Sequence, residues 1–283
     1  MKKNDKILII GCTGMLGSNL FVFLKKYYNF VYGTCRNEYN VKNKYIYSFE
    51  HTKDNLEQHI NEINPSIILN CVAILSCNND KEKVNMTYSN SILPIEINNI
   101  CNTKNIYLIH FSTDAVFESS DKYHHINSVY SPTTFYGSTK ILSESIQENA
   151  LVLRICPIGF DYFKQKSLFN FIYNSTEKTI NGFENCFFNG LTTIEIGKQL
   201  LNILDKRDIK GIHHLTGPKI SKLQLIQTIN DIFELNLNII PKTEPYVSRL
   251  LKDDLNDSNK LNWVTMISEF KSFIESFESI INT

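Results

Sequence analysis

The apolar positions of this chain follow two periods. Residues 7–10 (ILII) are an unbroken apolar run, the pattern of a strand buried on both faces of a parallel sheet. Beyond it, Leu16, Leu20, Phe23 and Leu24 fall on one face of a helix. Further apolar runs predict strands over 30–34, 45–49, 66–70, 106–111 and 151–155. Helical spacing predicts helices over 55–63, 90–101 (with Pro94 in its first turns), 194–204, 222–233 and 266–281. Strand and helix in alternation predict an α/β fold with a doubly wound parallel sheet. Past residue 156 the strands shorten, and turn signals crowd in at Asn181-Gly182, Asn189-Gly190 and Gly217-Pro218. The expected division is therefore a main unit over 1–155 and a smaller lobe over 156–283, interleaved with the first and facing it across a cleft.

Between the first strand and the first helix stand Gly11, Gly14 and Gly17, as G-C-T-G-M-L-G. Strand, glycine turn and helix open a dinucleotide-binding unit. One glycine permits the tight turn, the next lets backbone N–H groups approach a diphosphate, and the third lets the helix pack on the strand. The helix N-terminus adds unpaired donors and about half a positive charge. After the second strand, an NAD site usually places a carboxylate on the ribose 2′-hydroxyl. Here Arg36 holds that place and can pair with a 2′-phosphate, which favours NADPH. Glu38, two residues on, keeps NADH open.

Charge and cysteine content narrow the function classes. Lys+Arg and Asp+Glu both number 29, without the basic excess of a nucleic-acid binder. No apolar run reaches the ~18 residues of a membrane span. The start, MKKNDK, leads straight into the first strand, so no signal peptide and a cytoplasmic protein are expected. The seven cysteines form no CxxC pair and no spacing with histidine that suits a metal; free thiols and no metal are expected.

The second informative stretch is 131–144, SPTTFYGSTKILSE. Tyr136 and Lys140 are four apart, hence on one helical face. A nearby ammonium favours the phenolate and is expected to lower the Tyr136 pKa from about 10. Tyr162 and Lys166 share this spacing but follow a Pro-Gly loop and lack a hydroxyl partner, so they are read as a decoy. Ser112 and Thr113 end the buried strand 106–111, where hydroxyls would face a cofactor.

Taken together, Gly11-Cys-Thr-Gly14-Met-Leu-Gly17, Asn70-Cys-Val-Ala73, Asn90-Ser-Ile-Leu-Pro94, Ser112-Thr113-Asp114-Ala-Val-Phe117 and Pro132-x-x-x-Tyr136-Gly-Ser-Thr-Lys140 resemble the extended short-chain dehydrogenase/reductases, and among them the dTDP-4-dehydrorhamnose reductase-like group. The resemblance covers roughly the first 160 residues. It implies NADPH-dependent reduction of a 4-keto group on a nucleotide-linked 6-deoxysugar, as in precursor synthesis for surface polysaccharides. It implies Thr113, Tyr136 and Lys140 as catalytic residues. The cofactor cradle would be Gly11, Thr13, Gly14, Met15, Leu16, Gly17, Arg36, Cys71, Val72, Ala73, Asn90 and Ser112, with Tyr136 and Lys140. Ser76, Thr113, Thr192 and Arg249 would reach the substrate. Asp114 is followed by Ala115 rather than a second carboxylate, which disfavours dehydration. A sugar-nucleotide epimerase and a non-catalytic subunit of the methionine adenosyltransferase regulatory type are the alternatives on this fold, and a homodimer is expected by analogy.

Overall fold

The computed structural model describes residues 4–36, 43–146 and 149–282; Glu38 lies outside them. In chain order the elements are β1 (Lys6–Ile10), α1 (Met15–Leu24), β2 (Phe30–Cys35), β3 (Ile46–Ser48), α2 (Lys53–Ile63), β4 (Ile67–Asn70), α3 (Asp80–Thr87), α4 (Leu93–Lys104), β5 (Tyr107–Thr113), α5 (Phe135–Ser143), β6 (Ala150–Ile155), β7 (Pro157–Ile158), α6 (Leu168–Tyr173), β8 (Thr179–Phe183), β9 (Cys186–Phe188), β10 (Leu191–Thr192), α7 (Thr193–Lys206), β11 (Gly211–His214), β12 (Ile220–Ser221), α8 (Lys222–Phe233), β13 (Asn238–Lys242), β14 (Val247–Ser248) and α9 (Trp263–Ile281).

Seven parallel strands form the main sheet in the order β11-β6-β5-β4-β1-β2-β3. This is the doubly wound α/β fold that the alternating pattern predicts. The winding direction reverses between β1 and β4, and ligands in such sheets bind at the carboxyl edge beside that reversal. Alternate residues of each strand serve two cores. Ile7 and Ile9 pack with α1, α7 and α9, while Leu8 and Ile10 pack with α2 and α4.

Three of the differences from the sequence reading touch the main sheet and its helices. The expected strand over 45–49 shrinks to the three residues of β3. The helix expected from residue 90 begins earlier: α3 runs through a π turn, Tyr88–Ile92, into α4 without a break. The apolar pattern does not predict β11 at all. It is short, and its His213 and His214 break that pattern, yet it pairs with β6 and completes the sheet. His213 and His214 point opposite ways, one to Asp254 and one to Arg154.

The chain beyond β6 goes partly to the main sheet and partly to small sheets of its own. β11, α7 and α9 return to the main sheet, with α7 and α9 against α1. The short pairs β7/β10 and β8/β13 and the trio β12-β9-β14 form small sheets separate from the main one. No helix among the described residues is long and apolar enough to cross a membrane.

Candidate active site

The glycine turn is built for close approach. Gly11 has φ +83°, and a side chain there would strike Val72. A Cβ at Gly17 would come within 2.3 Å of the Gly11 carbonyl oxygen, so α1 can rest on the turn only through a glycine. Gly14 is different. Its φ is −78°, which any residue adopts, and a Cβ would meet nothing closer than 3.4 Å. Neither backbone nor packing requires a glycine there. What its bare surface leaves open is the approach to the first turn of α1. That turn has no side-chain cap, whereas α2, α3, α5, α6, α7, α8 and α9 each start with one. Free N–H donors at an uncapped helix start suit a diphosphate. By this test the residues fit a dinucleotide. Thr13 is buried in the turn, and Met15 lies beside Gly159 of the segment after β7. Leu16 packs against the core.

The neighbouring strand ends complete the edge. After β4, Val72 abuts Gly11 and Cys71 lies near Lys140. Ala73 is exposed. Asn90 clamps the loop that follows: its amide accepts from the Ile74 N–H and donates to the Ile74 carbonyl, both at 2.8 Å. Ser76 is exposed further along this loop. At the end of β2, Arg36 is exposed, and its charge acts on His51, whose ring meets Thr34 Oγ1 at 2.9 Å. Burial first, then Arg36, push the His51 pKa down to about 4.

Tyr136 and Lys140 lie on one face of α5, which Thr134 caps at its start. Tyr136 lies beside Thr113 at the end of β5, close enough for the threonine hydroxyl to bear on its pKa. Thr113 Oγ1 also accepts from the Ala115 N–H and donates to Asp114, each at 3.1 Å. Burial raises the Asp114 pKa, and the Arg249 charge opposes this. Arg249 donates from Nη2 to Thr133 at 3.1 Å, and its Nε is buried with no hydrogen-bond partner among the described residues.

Three sequence expectations need correction. The sequence predicts Tyr136 below its ordinary pKa. It lies above, because burial outweighs the influence of the neighbouring Thr113 hydroxyl and the Asp114 charge adds to the rise. The Lys140 amine expected to lower it is aimed at His110 instead, 3.1 Å away. Ser112, expected to face the cofactor beside Thr113, bonds Glu144 on the other face of β5, since neighbours on a strand point opposite ways. Thr192, expected to reach substrate, is buried, and its hydroxyl caps α7 through the Glu195 N–H. The decoy pair stays away from the cleft: the Tyr162 hydroxyl bonds Glu278 on α9.

Sequence reasoning missed a buried polar layer beneath the site. Arg154 on β6 holds Glu144 at 2.7 Å, Tyr130 at 3.1 Å and the Ile126 carbonyl at 3.0 Å. It therefore ties α5 to the loop that precedes it. The one available signal was an arginine inside an apolar run, LVLRI. Among the described residues, no group of three or more His, Cys, Asp or Glu side chains could hold a metal ion.

A family model described as the RmlD substrate binding domain matches residues 5–247. A probable low-salt glycan biosynthesis reductase of Haloferax volcanii is 24% identical over 156 residues, 52% of this chain and 51% of that protein. The chain thus spans about half the length of the curated relative it matches. Among solved structures, a dTDP-4-dehydrorhamnose reductase of Bacillus anthracis in complex with NADP is similar, with TM-score 0.75, 16% identity and coverage of 96% of this chain and 99% of that one. A dTDP-4-dehydrorhamnose reductase of Clostridium acetobutylicum has TM-score 0.73, 16% identity and coverage of 95% and 99%. An L-threonine 3-dehydrogenase of Trypanosoma brucei has TM-score 0.77 at 15% identity, with coverage of 98% of both chains. Likeness at such identities shows the fold alone.

Proposed function

This chain belongs to the RmlD substrate-binding-domain family, and from that premise we propose that it reduces the 4-keto group of a nucleotide-linked 6-deoxysugar, with NADPH as reductant. The observation that carries the reading is the Tyr136 phenol, beside Thr113, one helical turn from a buried lysine and at the sheet edge that bears the uncapped helix. When bound, the dinucleotide supplies hydride to C4. Tyr136 is protonated at neutral pH, as an ordinary phenol is, and burial raises its pKa further; a protonated phenol is the form a reduction needs. It donates its proton to the carbonyl oxygen as negative charge develops there. Thr113 would turn its hydroxyl to the same oxygen. Arg249 would take an oxygen of the substrate. Arg36 would meet the 2′-phosphate of NADPH, and Asn90 would keep the loop after β4 in shape around the cofactor.

The test is loss of nicotinamide absorbance with NADPH and a panel of 4-keto-6-deoxy nucleotide sugars. Consumption that depends on the sugar is expected. Binding without turnover would favour a regulatory subunit, and NAD that co-purifies would favour an epimerase. Tyr136→Phe should cut turnover by roughly 10²- to 10⁴-fold while NADPH still binds. Full activity in that variant would end the proposal.

A further inference from the structure

Beneath Tyr136 runs a string of buried polar groups whose polarity can be followed one bond at a time. The Val72 backbone N–H can only donate, and it meets Asn70 Oδ1 at 3.2 Å. That orients the amide, so Asn70 Nδ2 is the atom 3.1 Å from His110 Nδ1. An amide nitrogen donates, so Nδ1 carries the lone pair. At the other end, Ser143 Oγ donates its one proton to the Lys140 backbone carbonyl at 2.7 Å. The same oxygen lies 3.0 Å from His110 Nε2 and can only accept there. Nε2 therefore carries the proton. Both ends demand the same tautomer, and burial holds the ring neutral, with its pKa far below the ordinary value.

Lys140 Nζ lies 3.1 Å from that protonated Nε2. An ammonium has three donors and no acceptor, so it faces an N–H with nothing to offer; a neutral amine has a lone pair and can share the one Nε2 proton with Ser143 Oγ. We propose that His110 is a positioning residue that stores Lys140 as an uncharged amine against the sheet, and that binding of the dinucleotide draws Lys140 back to the cleft as an ammonium. The step takes one proton from solvent: the amine lone pair forms the new N–H bond. The incoming ligand favours the charged form because it brings phosphate charge and ribose oxygens that accept hydrogen bonds.

The other groups around Lys140 set the balance. Burial opposes the ammonium and prevails over Glu144 at the end of α5, which favours it, bringing the Lys140 pKa down to about 7. Tyr136, one turn back on α5, is a neutral phenol, and burial also keeps the Cys71 thiol neutral. From the π turn, Asn90 and Ser91 bond Thr139 and carry no charge. Above the Lys140 midpoint the free protein holds the amine, so binding must take up a proton. Affinity for the dinucleotide should then fall by about tenfold per pH unit above that midpoint.

The inference rests on the proposed reductase only for the identity of the ligand; the state of the free protein is measured apart from it. The experiment follows the isotope-labelled Cε of Lys140 by NMR in cofactor-free protein as pH is raised, with Lys140→Met to assign the signal. The expected midpoint is near neutrality. In His110→Gln the side-chain carbonyl can turn to the ammonium, and the midpoint should rise by about one pH unit or more. Calorimetry of NADPH binding in buffers of different protonation enthalpy, above the midpoint, should show close to one proton taken up by the wild type and much less by His110→Gln. A wild-type midpoint in the ordinary lysine range, about 10.4, overturns the proposal, and so does an unchanged midpoint in folded His110→Gln. If that variant does not fold, the wild-type titration and proton count decide alone. Failure here with NADPH turnover intact leaves the reductase standing, and a wild type that ignores NADPH leaves the NMR midpoint to decide.

Discussion

Gly137 offers a sharp test of how Tyr136 is held. It sits in the first turn of α5, and its N–H is capped by Thr134 Oγ1 at 3.1 Å. In an ordinary exposed helix, glycine to alanine stabilises by roughly 1 kcal/mol. Here a Cβ would come 2.2 Å from the Ala115 carbonyl oxygen and 3.1 Å from Pro132 Cβ. A carbon–oxygen contact needs about 3.3 Å, so the first turn of α5 must retreat by about 1 Å. Overpacking of this kind costs about 1–3 kcal/mol, which cancels the helix gain and leaves a net loss of about 0–2 kcal/mol. The larger effect falls on chemistry. Tyr136 rides on the turn that retreats, while its neighbour Thr113 stays with the Asp114–Val116 turn it is pressed against. A misplacement of about 1 Å can lower a rate by about 100-fold. Gly137→Ala should therefore show kcat/KM down by about 100-fold with a melting temperature equal to or below that of the parent. Ser138→Ala, exposed on the same turn, is the control and should change neither. Full turnover together with a gain in stability would mean that the Ala115 carbonyl does not brace α5, and the reasoning would fail.

Other positions separate cradle from scaffold. Gly14→Ala should fold and melt like the parent yet bind NADPH more weakly, whereas Gly17→Ala, whose Cβ meets a carbonyl oxygen at 2.3 Å, should melt lower; calorimetric melts and cofactor titration check both. Arg36→Ala should weaken NADPH by about ten- to a hundred-fold more than NADH, the value of a hydrogen bond to a charged group; an equal loss for both would refute the phosphate contact. Arg154→Met strands the buried Glu144 carboxylate, whose partner now sits at 2.7 Å, and should cost about 3–5 kcal/mol in urea unfolding. The double variant Arg154→Met with Glu144→Leu should recover only part of that loss, because Ser112, Tyr130 and the Ile126 carbonyl then lose partners too; full recovery would argue that those bonds contribute nothing.

Much of this molecule was legible in its sequence because the relevant physics is local. Unbroken apolar runs mark strands buried on both faces, and the strand–helix alternation leaves a doubly wound parallel sheet as the simplest way to bury them. The glycine turn is legible for the same reason, since Gly11 and Gly17 answer to atoms within a few residues or in the next strand. Spacing of four likewise places Tyr136 and Lys140 on one face of α5. Even the turning away of Ser112 follows from the period of two in a strand, which sends Ser112 and Thr113 to opposite faces.

Tertiary structure decided the rest, because those choices depend on partners far along the chain. β11 has no strand pattern of its own and becomes a strand through pairing with β6. Thr192 reads as a hydroxyl near substrate and becomes a helix cap, because α7 starts beside it. Spacing could say that Lys140 shares a face with Tyr136, but not that its amine would find His110, thirty positions earlier, before it found the phenol. Nor could it say that burial would raise the Tyr136 pKa. Desolvation and hydrogen-bond polarity belong to the packed interior, which exists only once the strands have assembled.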